Sequence, residues 1–330
     1  MNKSTSDPGT TDPAAGLQAE LVARIAGFVG SAENQATDIP GLTLHRRTTA
    51  TAPCSMTYQP SVTVMAQGRK RVDLGSTSFI YGPSQFLLTA VDLPVISRIV
   101  EASEDTPCLA LSLKIEMPVV RELLGREEIQ VTEAPSDSPA MSAGRASVEF
   151  LDACCRLLRL LEAPQDAPFL GGLIQREIIY RLLRSDEGAR LRSIATLGGQ
   201  SHRTAKAIAW IAANYTKPLR VEALAGIAGM GVSTLHHHFR VLTSMSPLQY
   251  QKQIRLQAAR TRMLTDDLDA ATAAFEVGYE SASQFNREYS RLFGQPPMRD
   301  IKGLRSAGAP QLESVGAGRL VAPTILPSVL

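Results

Sequence analysis

Two stretches in the C-terminal third carry side chains suited to hydrogen-bonding nucleic acid. Residues 221–240 read VEALAGIAGMGVSTLHHHFR, and residues 270–294 read AATAAFEVGYESASQFNREYSRLFG. In each stretch an apolar helical pattern meets a glycine, and a second helical pattern begins after a small polar residue. Serine, glutamine, asparagine and arginine can hydrogen-bond to base edges or phosphates. The layout predicts two helix-turn-helix units, each with its second helix in a DNA major groove.

In the first unit, helical spacing separates a core face from an open face. The residues predicted to pack inward are Leu224, Ala225, Ala228, Leu235 and Phe239. Gly229 and Gly231 are expected to form the turn, because glycine adopts positive φ without a Cβ clash. Ser233 or a neighbour is expected to cap the second helix. The side chains predicted to read bases are Ser233, Thr234, His236 and His237.

The second unit repeats this division. The residues predicted to pack inward are Ala273, Ala274, Val277, Phe285, Tyr289, Leu292 and Phe293. Gly278 is the expected turn residue and Ser281 the expected cap. The side chains predicted to read bases are Ser283, Gln284, Asn286 and Arg287. Arg287 is the strongest single candidate, because arginine can pair bidentately with guanine.

Basic residues near these units are suited to binding phosphates. The net charge of the 330 residues is only +2, but residues 203–300 hold twelve Lys and Arg against eight Asp and Glu. A local basic excess is what neutralisation of DNA phosphates requires, although a solvated surface would have the same composition. The residues predicted to contact phosphate are Arg240, Lys252, Arg255, Ser281 and Arg291.

Three segments carry a resemblance to a known family. They are LAGIAGMGVSTLHHHF, SPLQYQKQIRLQAARTRML at 246–264, and VGYESASQFNREYSRLFGQPP at 277–297. Together they resemble the DNA-binding domain of the AraC/XylS family of transcription regulators, over residues 203–302 without a gap. The resemblance implies promoter DNA and RNA polymerase as partners, with activation as the commoner output. His236 and His237 stand where the family more often has an amide or arginine, so no target sequence carries over.

The N-terminal half must supply whatever positions these units. Between residues 39 and 115 the apolar pattern has period two, in about seven short runs separated by Gly, Pro and Asp, which is typical of a β-sandwich or barrel. SVTVMAQGRKRVDLG and FLLTAVDLPVISRIVEASEDTPCLALSL resemble the N-terminal domain of one AraC-type subfamily, and this implies a cupin-like barrel. The expected fold class is α+β multidomain: this β-barrel with flanking helices, then an all-α domain with two helix-turn-helix motifs.

Helical patterns flank the predicted strands at 17–30, 117–125, 147–161 and 169–183. The apolar stripes of the last two could cover the barrel or pair in a homodimer, and the sequence leaves both open. The expected division is a disordered tail at 1–16, an effector or dimerisation domain at 17–184, a linker at 185–202, the DNA-binding domain at 203–302 and a flexible tail at 303–330.

Metal and enzyme chemistry are disfavoured. Three consecutive helical histidines, His236 to His238, point about 100° apart and cannot converge on one ion. Metal-dependent barrel enzymes need two or three histidines and a carboxylate, and this barrel has only His45. Zinc-activated methyl transfer to a cysteine would need four cysteines at one zinc, and their spacing does not favour that. We therefore expect no metal, no cofactor and no enzymatic activity, with a barrel enzyme carrying an accessory DNA module as a weaker alternative.

The four cysteines, Cys54, Cys108, Cys154 and Cys155, lack the spacing of a disulfide framework. A thiol-responsive regulator stays open as an alternative. The sequence has neither a run of roughly 18 apolar residues nor a signal-peptide h-region, and we expect a cytoplasmic protein. The function that these patterns favour is a sequence-specific transcription regulator. A small effector bound to its N-terminal domain would change promoter occupancy.

Overall fold

The computed structural model of the protein describes residues 13–125 and 137–306. Most of the tails predicted at 1–16 and 303–330 therefore lie outside the described residues. The parts that are described do not follow that prediction. Residues 13–16 belong to the first helix and residues 303–306 to the last one.

The N-terminal half contains two antiparallel sheets. The six-stranded sheet has the order β1-β2-β9-β4-β7-β10, and the four-stranded sheet has the order β3-β8-β5-β6. The strands are β1 (Asn34–Ala36), β2 (Leu42–Arg47), β3 (Cys54–Tyr58), β4 (Ser61–Gln67), β5 (Arg69–Leu74), β6 (Thr77–Tyr81), β7 (Gln85–Thr89), β8 (Leu93–Glu101), β9 (Cys108–Lys114) and β10 (Met141–Arg145). The β-rich domain predicted from the period-two pattern is confirmed. The structure has eight strands between residues 39 and 115 where about seven were predicted. The sequence pattern also missed β1, which precedes residue 39, and β10, which pairs with β7 from beyond the predicted barrel.

Alternation along the strands gives each sheet an inner and an outer face. In the six-stranded sheet, Thr63 of β4 lies opposite Ser112 of β9, and both are buried. Their hydroxyls are 2.9 Å apart, and the Ser112 hydroxyl also lies 3.0 Å from Nε2 of His45. Val64 and Phe86 lie on the opposite face of this sheet. The interior between the sheets therefore carries polar groups as well as apolar ones.

Helices cover the outer face of the six-stranded sheet. They are α1 (Pro13–Val29), α2 (Met117–Leu124), α3 (Val148–Arg159) and α4 (Ala167–Arg184), with a 3-10 turn at Leu160–Glu162. The rings of Phe86 and Phe150 lie 5.4 Å apart between sheet and α3. The apolar stripe of α3 is buried in this domain. By contrast, α4 exposes 78% of Phe169 and 63% of Leu173.

The segment predicted as a linker contains a packed helix, α5 (Ala189–Ala195). Arg190 and Arg192 of this helix are buried, and burial lowers the pKa of both guanidinium groups. Nη1 of Arg190 donates to the hydroxyl of Ser201 at 3.0 Å, and Nη1 of Arg192 donates to the carbonyl of Ser185 at 3.0 Å. Because these bonds compensate for the buried charges, the connection is fixed against both halves of the chain.

The C-terminal half is helical. Its helices are α6 (Gln200–Ala213), α7 (Val221–Ala228), α8 (Val232–Thr243), α9 (Pro247–Thr265), α10 (Ala270–Glu276), α11 (Ala282–Phe293) and α12 (Pro297–Ser306). The long helix α9 begins with a capping box, in which Ser246 and Gln249 each satisfy the backbone N–H of the other. The predicted α+β class, with an all-α C-terminal half, is confirmed.

The two halves share apolar packing. The buried residues of the first helix-turn-helix, including Leu235 and Phe239, belong to one continuous cluster with the barrel core. Those of the second, including Phe285 and Tyr289, form a separate cluster. Backbone contact crosses the boundary as well, since the N–H of Ala140 donates to the carbonyl of Leu242 at 3.0 Å. The first unit is thus packed on the N-terminal half, and the second is attached through α9 and through contact of α11 with β3.

Candidate nucleic-acid interface

The first helix-turn-helix comprises α7 and α8. All five residues predicted to pack inward are buried, which confirms the core face. Gly229 ends α7 in the left-handed conformation, with φ of +63°. The N–H of Met230 then donates to the carbonyl of Ala225 at 3.0 Å, which closes the helix end.

Two details of the predicted turn are wrong. Gly231 has φ of −70° and an extended backbone, so it does not supply a left-handed conformation. Gly231, and not Ser233, is the N-cap of α8, and no side chain caps this helix. Glycine is tolerated at this position because it is also an acceptable N-cap. The hydroxyl of Ser233 is consequently left facing outward in the first turn.

The open face of α8 is accessible to solvent. Ser233, Thr234, His236, His237 and Arg240 are all exposed, whereas His238 is half-buried against the body of the protein. Burial, together with the nearby His237 and Arg190, lowers the pKa of His238. Within the described ranges, no group of three or more His, Cys, Asp or Glu residues is placed to hold a metal ion.

The second helix-turn-helix comprises α10 and α11. Ala273, Ala274, Val277, Phe285 and Tyr289 are buried, while Leu292 and Phe293 are partly buried against the same cluster. Gly278 has φ of +93°, and a Cβ atom there would overlap the carbonyl oxygen of Thr216. The hydroxyl of Ser281 accepts from the N–H of Gln284 at 3.3 Å, so the predicted cap is confirmed.

The open face of α11 presents amide, hydroxyl and guanidinium groups. Ser283, Gln284, Asn286, Arg287 and Arg291 are exposed. Gln284 is held loosely by Glu288, with its Nε2 donating to Oε1 at 3.4 Å. The same carboxylate lies 3.8 Å from Nζ of Lys252 on α9. Lys252 keeps 41% of its side chain exposed and is therefore accessible to a phosphate.

Arg255 does not fit the predicted phosphate role. Its Nε donates to the carbonyl of Tyr215 at 2.6 Å, and its Nη2 donates to the carbonyls of Thr216 at 3.2 Å and Lys217 at 3.0 Å. Burial lowers its pKa. The guanidinium thus fastens the chain after α6 to α9, and the basic side chain seen in the sequence is used internally.

A buried ion pair fixes the second unit. Nε and Nη2 of Arg260 donate to the carboxylate of Asp300 at 2.7 and 2.9 Å, and the hydroxyl of Tyr289 donates to the same carboxylate at 2.7 Å. The guanidinium also lies over the ring of Phe293, 4.4 Å from its centroid. This network joins α9, α11 and α12. It was not predicted, because its members look like ordinary surface charges in the sequence.

Both halves of the chain match models of known protein families. Residues 38–190 match the family model described as the AraC-type transcriptional regulator N-terminus. Residues 224–302 match a helix-turn-helix domain model. The chain belongs to the AraC-type transcriptional regulators. As a member of this family, it is a DNA-binding transcription regulator with its helix-turn-helix domain at residues 224–302.

Individual relatives share the family at low identity. The chain is 26% identical over 190 residues to the HTH-type transcriptional activator RhaS of Escherichia fergusonii, spanning 57% of this chain and 66% of RhaS. It is 24% identical over 153 residues to the HTH-type transcriptional regulator ArgR of Pseudomonas aeruginosa, spanning 46% of each. A crystal structure of ToxT from Vibrio cholerae matches the fold with a TM-score of 0.52 at 11% identity, over 82% of this chain and 98% of ToxT.

Among the described residues, none of the helices combines the length and apolar character that a transmembrane segment needs. The longest C-terminal helix, α9, carries Lys252, Arg255, Arg260 and Arg262 along its length.

Proposed function

We propose that this regulator reads promoter DNA with α8 and α11 placed in two major-groove segments. The observation that carries the proposal is the division of each helix. One face is fixed in a core, and the opposite face exposes groups that hydrogen-bond to bases. Helices held in this way by a helix-turn-helix insert into the groove, and successive grooves on one side of DNA are about 34 Å apart.

The exposed residues divide into two roles. The proposed base readers are Ser233, Thr234, His236, His237, Ser283, Gln284, Asn286 and Arg287. The proposed phosphate contacts are Arg240, Lys252, Ser281 and Arg291, while Arg255 is removed from this set because its donors are used by the chain itself. Phosphate contacts position the protein and make binding salt-dependent, whereas base contacts specify the sequence.

The N-terminal half is proposed to bind a small effector between its two sheets. The polar groups on the inner faces support this, because a small-molecule site needs a few placed hydrogen-bonding groups among apolar walls. Thr63, Ser112 and His45 form one such chain, and the hydroxyl of Tyr58 donates to Ser97 at 3.0 Å to form another. Effector binding would favour one conformation and so change promoter occupancy.

A role in transcription regulation implies a location, partners and an output, which we also propose. We place the protein in the cytoplasm with DNA and RNA polymerase as partners, assign it no enzymatic activity, and assign activation as its output, as in the name of RhaS. A homodimer is proposed through α4, whose Phe169 and Leu173 are exposed apolar side chains.

The test is selection of bound duplexes from a random DNA pool with the full chain, followed by affinity measurements at several salt concentrations. A motif with two boxes about one helical turn apart is the expected result. Recovery of no motif, with binding that disappears at modest salt, would show that DNA is held through phosphates alone and would overturn sequence-specific reading.

A further inference from the structure

The helix that joins the two helix-turn-helix units is fastened to the barrel by polar side chains on one face. The hydroxyl of Tyr250 donates to the carbonyl of Asp92 at 2.8 Å. Nε2 of Gln257 donates to the hydroxyl of Ser55 at 3.0 Å. Arg260 also bonds to the barrel, through Cys54. The side chains of Tyr250, Gln257 and Arg260 are all buried, although α9 lies between two DNA-reading units. We call this set of interactions the α9 contact.

The α9 contact is made largely with a single strand, β3. This strand lies at the edge of the four-stranded sheet and pairs only with β8 among the described strands. Ser55 bonds to Gln257, and the hydroxyl of Thr57 also bonds to Gln257. Cys54 accepts a hydrogen bond from Nη1 of Arg260 at 3.5 Å. An edge strand held on one side moves more readily than a central one, because half of its backbone groups have no sheet partner.

Alternate residues of β3 face opposite ways. Ser55 and Thr57 face α9, and Met56 and Tyr58 lie on the other face, opposite Val95 and Leu93. Cys54 has the alternation of Met56 but reaches Arg260 from the first position of the strand. Tyr58 is fully buried, donates to Ser97 and lies beneath the ammonium of Lys70, which is 5.5 Å from the ring centroid. The same five-residue strand therefore forms part of the proposed effector site with one face and holds α9 with the other.

The DNA-reading faces are not covered while the α9 contact is made. Arg287 on α11 and His236 on α8 are exposed in this state. At the same time α9 packs on both units, with Ile254 in the cluster shared with the first and Met263 in the cluster of the second. Because the first unit shares a core with the barrel, movement of α9 relative to the barrel would shift the second unit relative to the first, since close-packed cores do not deform continuously.

From these relationships we propose that β3 transmits the state of the barrel interior to α9 and thereby sets the relative placement of the two DNA-reading helices. Regulation would then act on which spacing of boxes the protein accepts, and not by covering the reading faces. This proposal rests on the proposed function, since it assumes an effector site between the sheets and paired reading of DNA.

The first test measures spacing selectivity. The operator is the two-box duplex selected with the wild-type chain, and the competitors carry two or four extra base pairs between the boxes. Thr57→Val and Gln257→Leu remove the polar bonds of the α9 contact. Each has a matched control with the same chemical change, Thr77→Val at an exposed position of β6 in the same sheet and Gln253→Leu on α9 itself.

We expect Thr57→Val and Gln257→Leu to reduce discrimination between the native and altered spacings by about fivefold, at the low end of usual coupling between sites. Binding to a single box should stay unchanged, and the controls should keep wild-type discrimination. If both variants discriminate as the wild type does, the role of β3 is overturned. Because a two-box operator must already have been recovered, that outcome leaves the proposed function standing.

The second test starts from the inner face and needs no DNA. Met56→Ala shortens an inner side chain of β3, and amide hydrogen exchange is followed along α9 in the full chain. Faster exchange between residues 250 and 260 is expected, together with loss of this effect when Gln257→Leu is already present. Unchanged exchange in α9, or an effect that persists in the double variant, would overturn transmission through β3. Failure to recover any two-box operator would instead overturn the proposed function.

Discussion

Arg260 and Asp300 form a bidentate ion pair in the interior, with N–O distances of 2.7 and 2.9 Å and less than a tenth of either side chain exposed. Burial disfavours the charge on Arg260, but the hydrogen bonds to Asp300 and the electrostatic attraction of Cys54, Asp300 and Tyr289 together raise the pKa of the guanidinium. The pair ties α12 to α9, so the second DNA-reading unit depends on it.

Removing one member of this pair should leave the other as an uncompensated buried charge. Asp300→Ala is expected to lower the free energy of unfolding by about 3–5 kcal/mol. The matched control is Asp266→Ala, which breaks the more exposed pair with Arg262 at 3.5 Å and should cost less than about 1 kcal/mol. Urea unfolding of both variants measures these losses in the free energy of unfolding. Equal small losses would contradict a structural role for the buried pair.

Base reading is tested by comparing two exposed arginines of α11. Arg287→Ala should weaken binding to the selected operator by about 1–3 kcal/mol, with less effect on scrambled DNA. Arg291→Ala should weaken binding to both duplexes and lower the salt slope by about one. Affinities measured at four salt concentrations separate the two roles. Equal weakening of both duplexes by Arg287→Ala would remove it from the base readers.

The use of Arg255 inside the protein has a measurable consequence. Arg255→Ala removes hydrogen bonds to the carbonyls of Tyr215, Thr216 and Lys217, and should lower the free energy of unfolding by about 1–3 kcal/mol. The salt slope of DNA binding should not change. Arg240→Ala, at an exposed position on α8, should lower the salt slope and leave the free energy of unfolding nearly unchanged. A lower salt slope for Arg255→Ala would restore it as a phosphate contact.

The two left-handed glycines around α11 differ in their surroundings. Gly294→Ala places a Cβ in open space at φ of +80° and should cost about 1–2 kcal/mol from backbone strain alone. Gly278→Ala has a similar φ, but its Cβ would overlap the carbonyl of Thr216, so a loss above about 3 kcal/mol is expected. Thermal unfolding of the two variants provides the comparison, and similar losses would show that the chain near Thr216 moves easily.

The stability of the protein should respond to pH through the side chain of Asp92, whose backbone carbonyl accepts the hydrogen bond of Tyr250. Burial raises the pKa of this carboxyl to about 6, an effect that the nearby Lys114 partly opposes, and Tyr250 is the other titratable group beside it. Because the folded pKa is above the unfolded one, the stabilisation is present at low pH and is lost as pH rises through about 6. Its size is on the order of 1–2 kcal/mol, since Asp92 is partly solvated.

Asp92→Asn should remove this dependence. Unfolding free energies of wild type and variant, measured from pH 4.5 to pH 7.5, should differ in slope below about pH 6, where folded Asp92 keeps its proton and the unfolded carboxyl has lost it, and should have equal slopes above that pH. The difference between wild type and variant separates the contribution of Asp92 from that of other carboxyls. Glu20 is one of these, and its hydrogen bond with Arg159 lowers its pKa to about 2, so its contribution to stability is lost only in stronger acid. Parallel curves would show that Asp92 titrates normally.

The exposed faces of α8 and α11 follow from local sequence. Leu235 and Phe239, or Phe285 and Tyr289, lie four residues apart, and this spacing places both members of each pair on one side of a helix. The remaining side, with residues such as Arg287, is then fixed by helix geometry. For the same reason the strands of the barrel were predictable from their period of two, since alternation is a property of each strand by itself.

Residues with long-range partners were not predictable in this way. Gly231 looked like a left-handed turn residue, but its φ is set by how α8 starts. Arg255 looked like a surface cation, but the chain after α6 returns beside it. Both α3 and α4 carry apolar residues at helical spacing, but α3 buries its apolar face whereas α4 leaves Phe169 and Leu173 exposed.

By itself, the sequence determined the family, the two helix-turn-helix units and the β-rich N-terminal half, because each depends on residues within about one helical turn or one strand. The tertiary structure decided which polar side chains are open to solvent and which hold the protein together. Gln257 and Arg260 are a few residues from Lys252 on one helix. Gln257 is buried against β3 and Arg260 against Asp300, whereas Lys252 is open to solvent. The partners of Gln257 and Arg260 lie 202 and 40 residues away, a separation that no local pattern records.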